Sequence, residues 1–299
     1  MRKALIIGGT GFVGVHLQRL MRQNFAVTAT GHESDLRDAD QIRHLVASVE
    51  PDIVINLASI TTVRESFANP YETYRIGFFG NLNLLVALKE SGFKGRMLNV
   101  SSSEIYGHPA ETELPLTEHS PIRPMSPYAV SKSATEQLCF QWSQAERFEI
   151  VTARPFTHVG PGQSDRFAIS NFSRQIAEIT LGRREPIIRV GNLETTRDFT
   201  DVRDVVGAYL VLLAKGRSGQ VYNVCSGKEV SMDAVLKHLI ERAKIDIKVE
   251  HDPALARDSE QKRIVGSYGK LNKDTGWAPK VPLEKTLGDT VSYWLEQIK

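Results

Sequence analysis

Cysteine is scarce in this chain. Cys139 and Cys225 are the only two in 299 residues; they stand at no metal-ligand spacing and make no disulfide framework, so a reducing cytoplasm is expected and a bound metal is not. Long apolar runs are missing as well: no stretch reaches the ~20 residues a bilayer span needs. Met1-Arg2-Lys3-Ala4 passes straight into strand-like sequence, with nothing that reads as a cleavable leader. Neither sign of charge dominates. With 37 Lys+Arg against 35 Asp+Glu, the chain lacks the clustered basic excess of a nucleic-acid surface. Internal repeats and low-complexity linkers are absent too. What remains is ordinary globular composition, 41% hydrophobic and 24% charged, long enough for two packed units or one large one.

The first half alternates strand and helix. Ala4 to Ile7 is apolar and ends in Gly8-Gly9-Thr10-Gly11-Phe12-Val13-Gly14, after which Leu17, Leu20 and Met21 recur at helical spacing. Gly8, Gly11 and Gly14 suit a tight turn, a backbone open to a pyrophosphate, and a helix packed closely on its strand. Phe25 to Thr30 reads as a second strand ending at Gly31-His32. No carboxylate closes that strand to accept ribose hydroxyls, the first acid being Glu33, and His32 offers a cation beside the cofactor, so NADP is expected ahead of NAD. Asp35-Leu36, a polar helix from Asp38 to Ser48, and a strand running Asp52 to Ala58 follow. Leu57, Ala58 and Ser59 fall where a dinucleotide lies along a sheet's carboxyl edge. Pro70 to Ser91 reads as one long helix, and the strand Arg96 to Val100 delivers Ser101-Ser102-Ser103-Glu104 to the same edge.

Ser126-Pro127-Tyr128-Ala129-Val130-Ser131-Lys132 combines a favoured N-cap with a favoured first helical residue, so a helix begins here and Tyr128 and Lys132 share one face. An ammonium beside a phenol favours the phenolate, which predicts a lowered Tyr128 pKa and a pair able to trade protons near neutrality. Any amphipathic helix presents such a pair often enough that the spacing alone decides nothing. Glu149 to Arg154 is a further strand, ending in Pro155-Phe156-Thr157-His158. The alternation calls for an α/β fold, a doubly wound parallel sheet of Rossmann type.

The second half loses that rhythm, with helices near 171–181, 205–213 and 231–243, strands near 187–190 and 221–224, a loop carrying Arg257 and Arg263, and a last helix ending at Ile298. Residues 1–158 are expected to bind the dinucleotide. Residues 159–299 are expected to form mainly a smaller substrate lobe, with about 199–224 rejoining the first sheet.

With these residues together, the chain resembles the extended short-chain dehydrogenase/reductase superfamily along essentially its whole length. The glycine motif, Asn56-Leu57-Ala58, Ser102 with Tyr128 and Lys132, and Arg197-Asp198-Phe199 through Asp204 stand in that superfamily's order. Arg123-Pro124-Met125-Ser126-Pro127-Tyr128, Gly160-Pro161-Gly162-Gln163, Val190-Gly191-Asn192 and Val221-Tyr222-Asn223 are similar to the GDP-6-deoxy-D-mannose reductases. The resemblance implies reduction of a 4-keto GDP-sugar, with Tyr128 as proton donor, Lys132 holding the nicotinamide ribose and lowering the Tyr128 pKa, and Ser102 bonding the keto oxygen. It also implies Asp35 and Leu36 beside the adenine and Pro155 beside the nicotinamide. Ser103, Glu104, Thr157, Asn171, Arg197, Arg257 and Glu260 would line the substrate site, Arg197 and Arg257 clamping its diphosphate. A homodimer without membrane or nucleic-acid partners is the expected assembly.

Three positions depart from relatives: Gly77 and Thr157 replace an Asn, and Asp258 replaces a Pro. Rivals stay open. A GDP-mannose 4,6-dehydratase is one, because Ser102-Ser103-Glu104 resembles that family's Thr-Ser-Glu; another nucleotide-sugar reductase or epimerase is a second, and a cofactor-sensing regulator without chemistry is the third.

Overall fold

The computed structural model describes residues 1–31, 33–59, 62–252 and 262–299. Strand β1 (Arg2–Ile7) turns through the glycines into helix α1 (Phe12–Met21). Gly8 has φ 74°, and a Cβ there would stand 2.7 Å from the Ala58 nitrogen, so both backbone shape and close approach demand glycine. Then come β2 (Phe25–Thr30), α2 (Ala39–Val49), β3 (Ile53–Asn56) and a short α3 (Val63–Ala68). The Asp38 carboxylate accepts from the Asp40 and Gln41 amides and so starts α2.

The helix expected over 70–91 is broken in character. It runs as α4 (Pro70–Tyr74), a π-helical turn (Arg75–Phe79) and α5 (Gly80–Glu90). The Gly77 carbonyl in that turn accepts from Asn81 Nδ2 at 2.6 Å and from Thr135 Oγ1 at 2.9 Å. A wider turn with its carbonyl bonded sideways leaves no mark on hydrophobic periodicity.

Beyond β4 (Arg96–Val100) the chain makes a 3₁₀ turn (Ser103–Tyr106) and later α6 (Pro127–Ala145), β5 (Glu149–Pro155), β6 (Thr157–Val159) and α7 (Ala168–Thr180). The remainder is β7 (Ile187–Val190), β8 (Thr196–Asp201), α8 (Val202–Lys215), β9 (Val221–Val224), β10 (Glu229–Ser231), α9 (Met232–Ala243), β11 (Lys248–His251), α10 (Gly269–Thr275) and α11 (Leu283–Ile298). Strands β6, β8, β10 and β11 and helices α3 and α10 had no sequence expectation; each is short, and period-based patterns need more residues than these supply.

The main sheet has six strands in the order β2-β1-β3-β4-β5-β9, every pair parallel. Along β1, Ala4 and Ile6 enter the core under α1 and α8, while Leu5 and Ile7 enter the core under α2, α5 and α6. Both faces are therefore dry, and each fully buried Leu or Ile stabilises the fold by ~1.5–3 kcal/mol. The order in which strands are added to the sheet reverses between β1 and β3, the switch point where doubly wound sheets bind ligands beyond their carboxyl ends. A three-stranded sheet, β10-β8-β6, and a β11-β7 pair frame a further core that includes Ile176, Ile188, Phe199, Leu236 and Leu239.

Candidate active site

Three elements deliver the chemistry to the sheet's carboxyl edge. Ser126 caps α6, its hydroxyl accepting from the Ala129 amide at 3.1 Å, and this fixes the first turn that carries Tyr128. At the end of β4 the Ser102 hydroxyl accepts from the Glu104 amide at 3.2 Å and so shapes the 3₁₀ turn. Tyr128 and Ser102 meet through their hydroxyls. Lys132, one turn on, donates to the Val100 carbonyl at 2.8 Å and lies 5.7 Å from the centre of the Tyr128 ring.

The electrostatics of this pair differ from the sequence expectation. Burial pushes the Tyr128 phenol up to about 12; the Ser102 bond pulls it down, and the nearby Glu104 carboxylate pushes it up further. Lys132 is not among the groups that lower it: burial brings the ammonium itself down to about 8, with Glu136 and Cys139 acting to raise it, so it is already neutral at the pH where Tyr128 would ionise and charged only below about 8. Tyr128 therefore carries its proton throughout the neutral range, and Lys132 is the member that titrates near it.

The glycine loop fits a dinucleotide. A Cβ on Gly11 would meet only the Gly8 carbonyl, at 3.4 Å, so the loop backbone is open there. Helix α1 begins with no side-chain cap and no acid in its first turn, leaving amide hydrogens and dipole to an anion. Gly14, whose Cβ would fall 2.2 Å from the Gly9 carbonyl, locks the helix against the turn. Thr10 lies beside Gly31 at the end of β2, and Gly8 against Leu57 and Ala58, so these expected positions converge. Phe12 stacks on His158, ring centres 6.1 Å apart, and Val13 packs in the core of that face. Ser59 stands at the same edge, just past β3, and Pro155 closes β5. The Ser101 and Thr30 hydroxyls, at the ends of β4 and β2, are buried without a partner.

Around the adenine end the picture is mixed. The Asp35 carboxylate is clasped by Arg37, which holds it below its usual range, and Arg37 also bonds Glu72 at 2.6 Å. The Leu36 side chain is buried, packed over Gly80. Glu33 corrects the picture of an unguarded strand end: its carboxylate folds back to accept from the Gly31 amide at 2.6 Å. The sequence shows Glu33 as the first acid after the strand but not its return to Gly31, which a turn makes in space. His32, Arg257, Asp258 and Glu260 lie outside the described residues.

The other expected substrate residues are spread over several elements. Ser103 is buried in the 3₁₀ turn with Glu104 beside it. Thr157, exposed, starts β6, which pairs with β8, where Arg197 donates to the Thr196 carbonyl at 2.7 Å. Asn171 on α7 donates to the Asp165 carbonyl at 3.1 Å and accepts from Gln175. Asp198 in the same strand accepts from the Ser226, Gly227 and Gly266 amides, tying β8 to two loops.

A phenol bonded to a serine hydroxyl, backed by an ammonium, beside a loop shaped for a dinucleotide is equipped to protonate a carbonyl oxygen as hydride arrives. The family model described as GDP-mannose 4,6 dehydratase matches residues 20–290. The chain belongs to that family. It is an extended short-chain dehydrogenase/reductase. Over its whole length it is 40% identical to a protein of Pseudomonas aeruginosa named GDP-6-deoxy-D-mannose reductase, covering 99% of that protein. A structure described as RMD from Pseudomonas aeruginosa complexed with NADPH superposes with a TM-score of 0.93, covering 99% of each chain at 40% identity. A GDP-mannose 4,6-dehydratase of Vibrio cholerae is 29% identical over 89% of this chain and 79% of its own. Family membership thus spans reductases and dehydratases, and the site must distinguish them.

Proposed function

We propose that this chain is an oxidoreductase that uses NADPH to reduce the 4-keto group of GDP-4-keto-6-deoxy-D-mannose, giving GDP-D-rhamnose. The observation that carries the reading is the end-to-end likeness to the Pseudomonas reductase. Bound along the glycine loop, NADPH would supply the hydride for C4. Tyr128, protonated at neutral pH, gives its proton to the forming alkoxide; Ser102, bonded to the same hydroxyl, orients that transfer and supports the developing charge. Lys132, its ammonium 5.7 Å from the Tyr128 ring centre, would favour the transient phenolate while charged and would hold the ribose. Residues 8–14 would take the pyrophosphate, with Leu57, Ala58, Ser59 and Pro155 lining the nicotinamide half and Asp35 with Leu36 the adenine half. Ser103, Glu104, Thr157, Asn171 and Arg197 would hold the sugar and diphosphate.

Residues 1–158 would act as the cofactor unit and 159–299 mainly as the substrate lobe, with about 199–224 returning to the main sheet; the pairing of β9 with β5 supports that return, while Phe199–Asp201 belong to the three-stranded sheet. Among the described residues no helix is long and apolar enough to cross a membrane. Both cysteines are buried and free, which supports a reducing cytoplasm. Tyr71, Tyr74, Arg75, Phe78, Phe79 and Ala134 line a mostly apolar surface hollow across α4, the π-helical turn and α6, which suits a homodimer through that face; Phe79→Asp should then sediment as a monomer. The functional reading is tested by whether the GDP-4-keto sugar consumes NADPH one for one.

A further inference from the structure

Behind the reacting groups lies a buried ion pair that no step above uses. Glu136, one turn beyond Lys132 on α6, accepts from Arg154 Nε at 2.8 Å and Nη2 at 2.6 Å, the two side chains being 1% and 4% exposed. Arg154 precedes Pro155 on β5. Its Nη1 donates to the Tyr106 hydroxyl at 2.9 Å and the Glu118 carbonyl at 3.3 Å, and its guanidinium carbon sits 5.2 Å from the Tyr106 ring centre. Tyr106 ends the 3₁₀ turn that follows Ser102, and its hydroxyl donates to Asn223 Oδ1 on β9 at 2.7 Å. One guanidinium thus joins the helix of Tyr128 and Lys132, the turn of Ser102 to Glu104, and the strand that ends at Pro155. Desolvating two charges costs several kcal/mol each, and apolar residues of similar volume would hold a helix at least as well. The charge at this place therefore asks for another role.

Lys132 is what that charge faces. On its own helix Lys132 has Glu136 and Cys139, both acting to keep it protonated, and the Tyr128 ring; from β4 it meets the Val100 carbonyl. Arg154 on β5 stands beyond Glu136, and Glu104 on the 3₁₀ turn acts on Tyr128. We propose that Glu136 is a positioning residue of the reaction: clasped by Arg154, it holds α6 and the Ser102–Tyr106 turn in one register and keeps a negative charge beneath Lys132. The inference rests on the ketoreductase reading and deepens it.

The test is the pH dependence of NADPH oxidation by the full chain with GDP-4-keto-6-deoxy-mannose. Glu136→Gln keeps the shape and an acceptor but loses the charge; its alkaline limb should move down by about one pH unit, the order of effect a neighbouring opposite charge has. Its kcat should fall about ten- to a hundredfold. Glu136→Asp should be slow as well but keep the limb of the unmodified chain. Tyr106→Phe disturbs no charge and serves even where Glu136→Gln fails to fold. It should keep the limb and raise KM for the sugar by about threefold or more. Coincident limbs in Glu136→Gln and the unmodified chain would overturn the role of the charge, and unaltered kinetics in Tyr106→Phe the role of the network. An unmodified chain inert toward this sugar at every pH counts against the ketoreductase reading instead, and the pH dependence of NADPH binding, read by fluorescence, then carries the same comparison of variants.

Discussion

Lys132 stands 5.7 Å from the centre of the Tyr128 ring, while its ammonium is tied to the Val100 carbonyl at 2.8 Å. The two residues thus divide the work: a phenol held in its acid form by burial, and an amine that titrates near the working pH. Tyr128→Phe removes the donated proton and nothing else of size. Its kcat should fall about 10²- to 10⁴-fold, the usual contribution of a general acid, while NADPH affinity by fluorescence stays within about threefold. A variant that turns over at the normal rate would remove Tyr128 from the reaction.

The pH dependence follows from the same pair. Lys132 titrates at about 8, and its charged form is the one that favours the phenolate left after proton transfer. Activity should therefore be level below that value and be lost as pH rises through it. Tyr128, at about 12, contributes no loss in the same range. A kcat/KM that still climbs above pH 9 would contradict the assignment.

Cofactor preference is testable at Glu33, whose carboxylate sits against the Gly31 amide at the end of β2. A 2′-phosphate docking there meets that negative charge, a repulsion of ~1 kcal/mol at contact distance in a watery site. Glu33→Gln should raise the NADPH-over-NADH ratio of kcat/KM about fivefold. An unchanged ratio would place the phosphate elsewhere.

Gly77 packs so tightly on α6 that a Cβ would stand 2.0 Å from the Ser131 hydroxyl oxygen, next to Lys132. Gly77→Ala should destabilise the fold by ~1–3 kcal/mol in urea unfolding and slow turnover by displacing α6. Adding Ser131→Ala should restore most of both losses, since the clash is between those two side chains. Equal losses in the single and double variants would show that the strain lies in the π-helical backbone.

The main sheet and the Ser102-Tyr128-Lys132 grouping were legible in the sequence because both rest on strong local signals. Buried strands of apolar residues, a glycine turn and an N-capped helix each act over a few residues. What the sequence hid depends on distance in space. Glu136 reads as one more helix position until Arg154 arrives from β5, and the Tyr128 acidity depends on burial that no spacing reports. The Glu33 carboxylate returns to Gly31 through a turn, and the π turn at Gly77 is stabilised from α5 and α6.

On the proposed reading this site reduces a preformed 4-keto sugar and does not make one. A dehydratase needs a carboxylate base for the C5 proton and regenerates its cofactor in each turnover, whereas a reductase spends one NADPH and needs no such base. Glu104, beside Tyr128, is where the two chemistries part. The deciding measurement follows both substrates in the unmodified chain and in Glu104→Gln, with products identified by NMR. GDP-4-keto-6-deoxy-mannose should consume NADPH one for one in both proteins, the variant keeping about a tenth or more of the rate, and GDP-mannose with NADP⁺ should give no 4-keto product. Conversion of GDP-mannose by the unmodified chain that disappears in Glu104→Gln would contradict the account and make the protein a dehydratase.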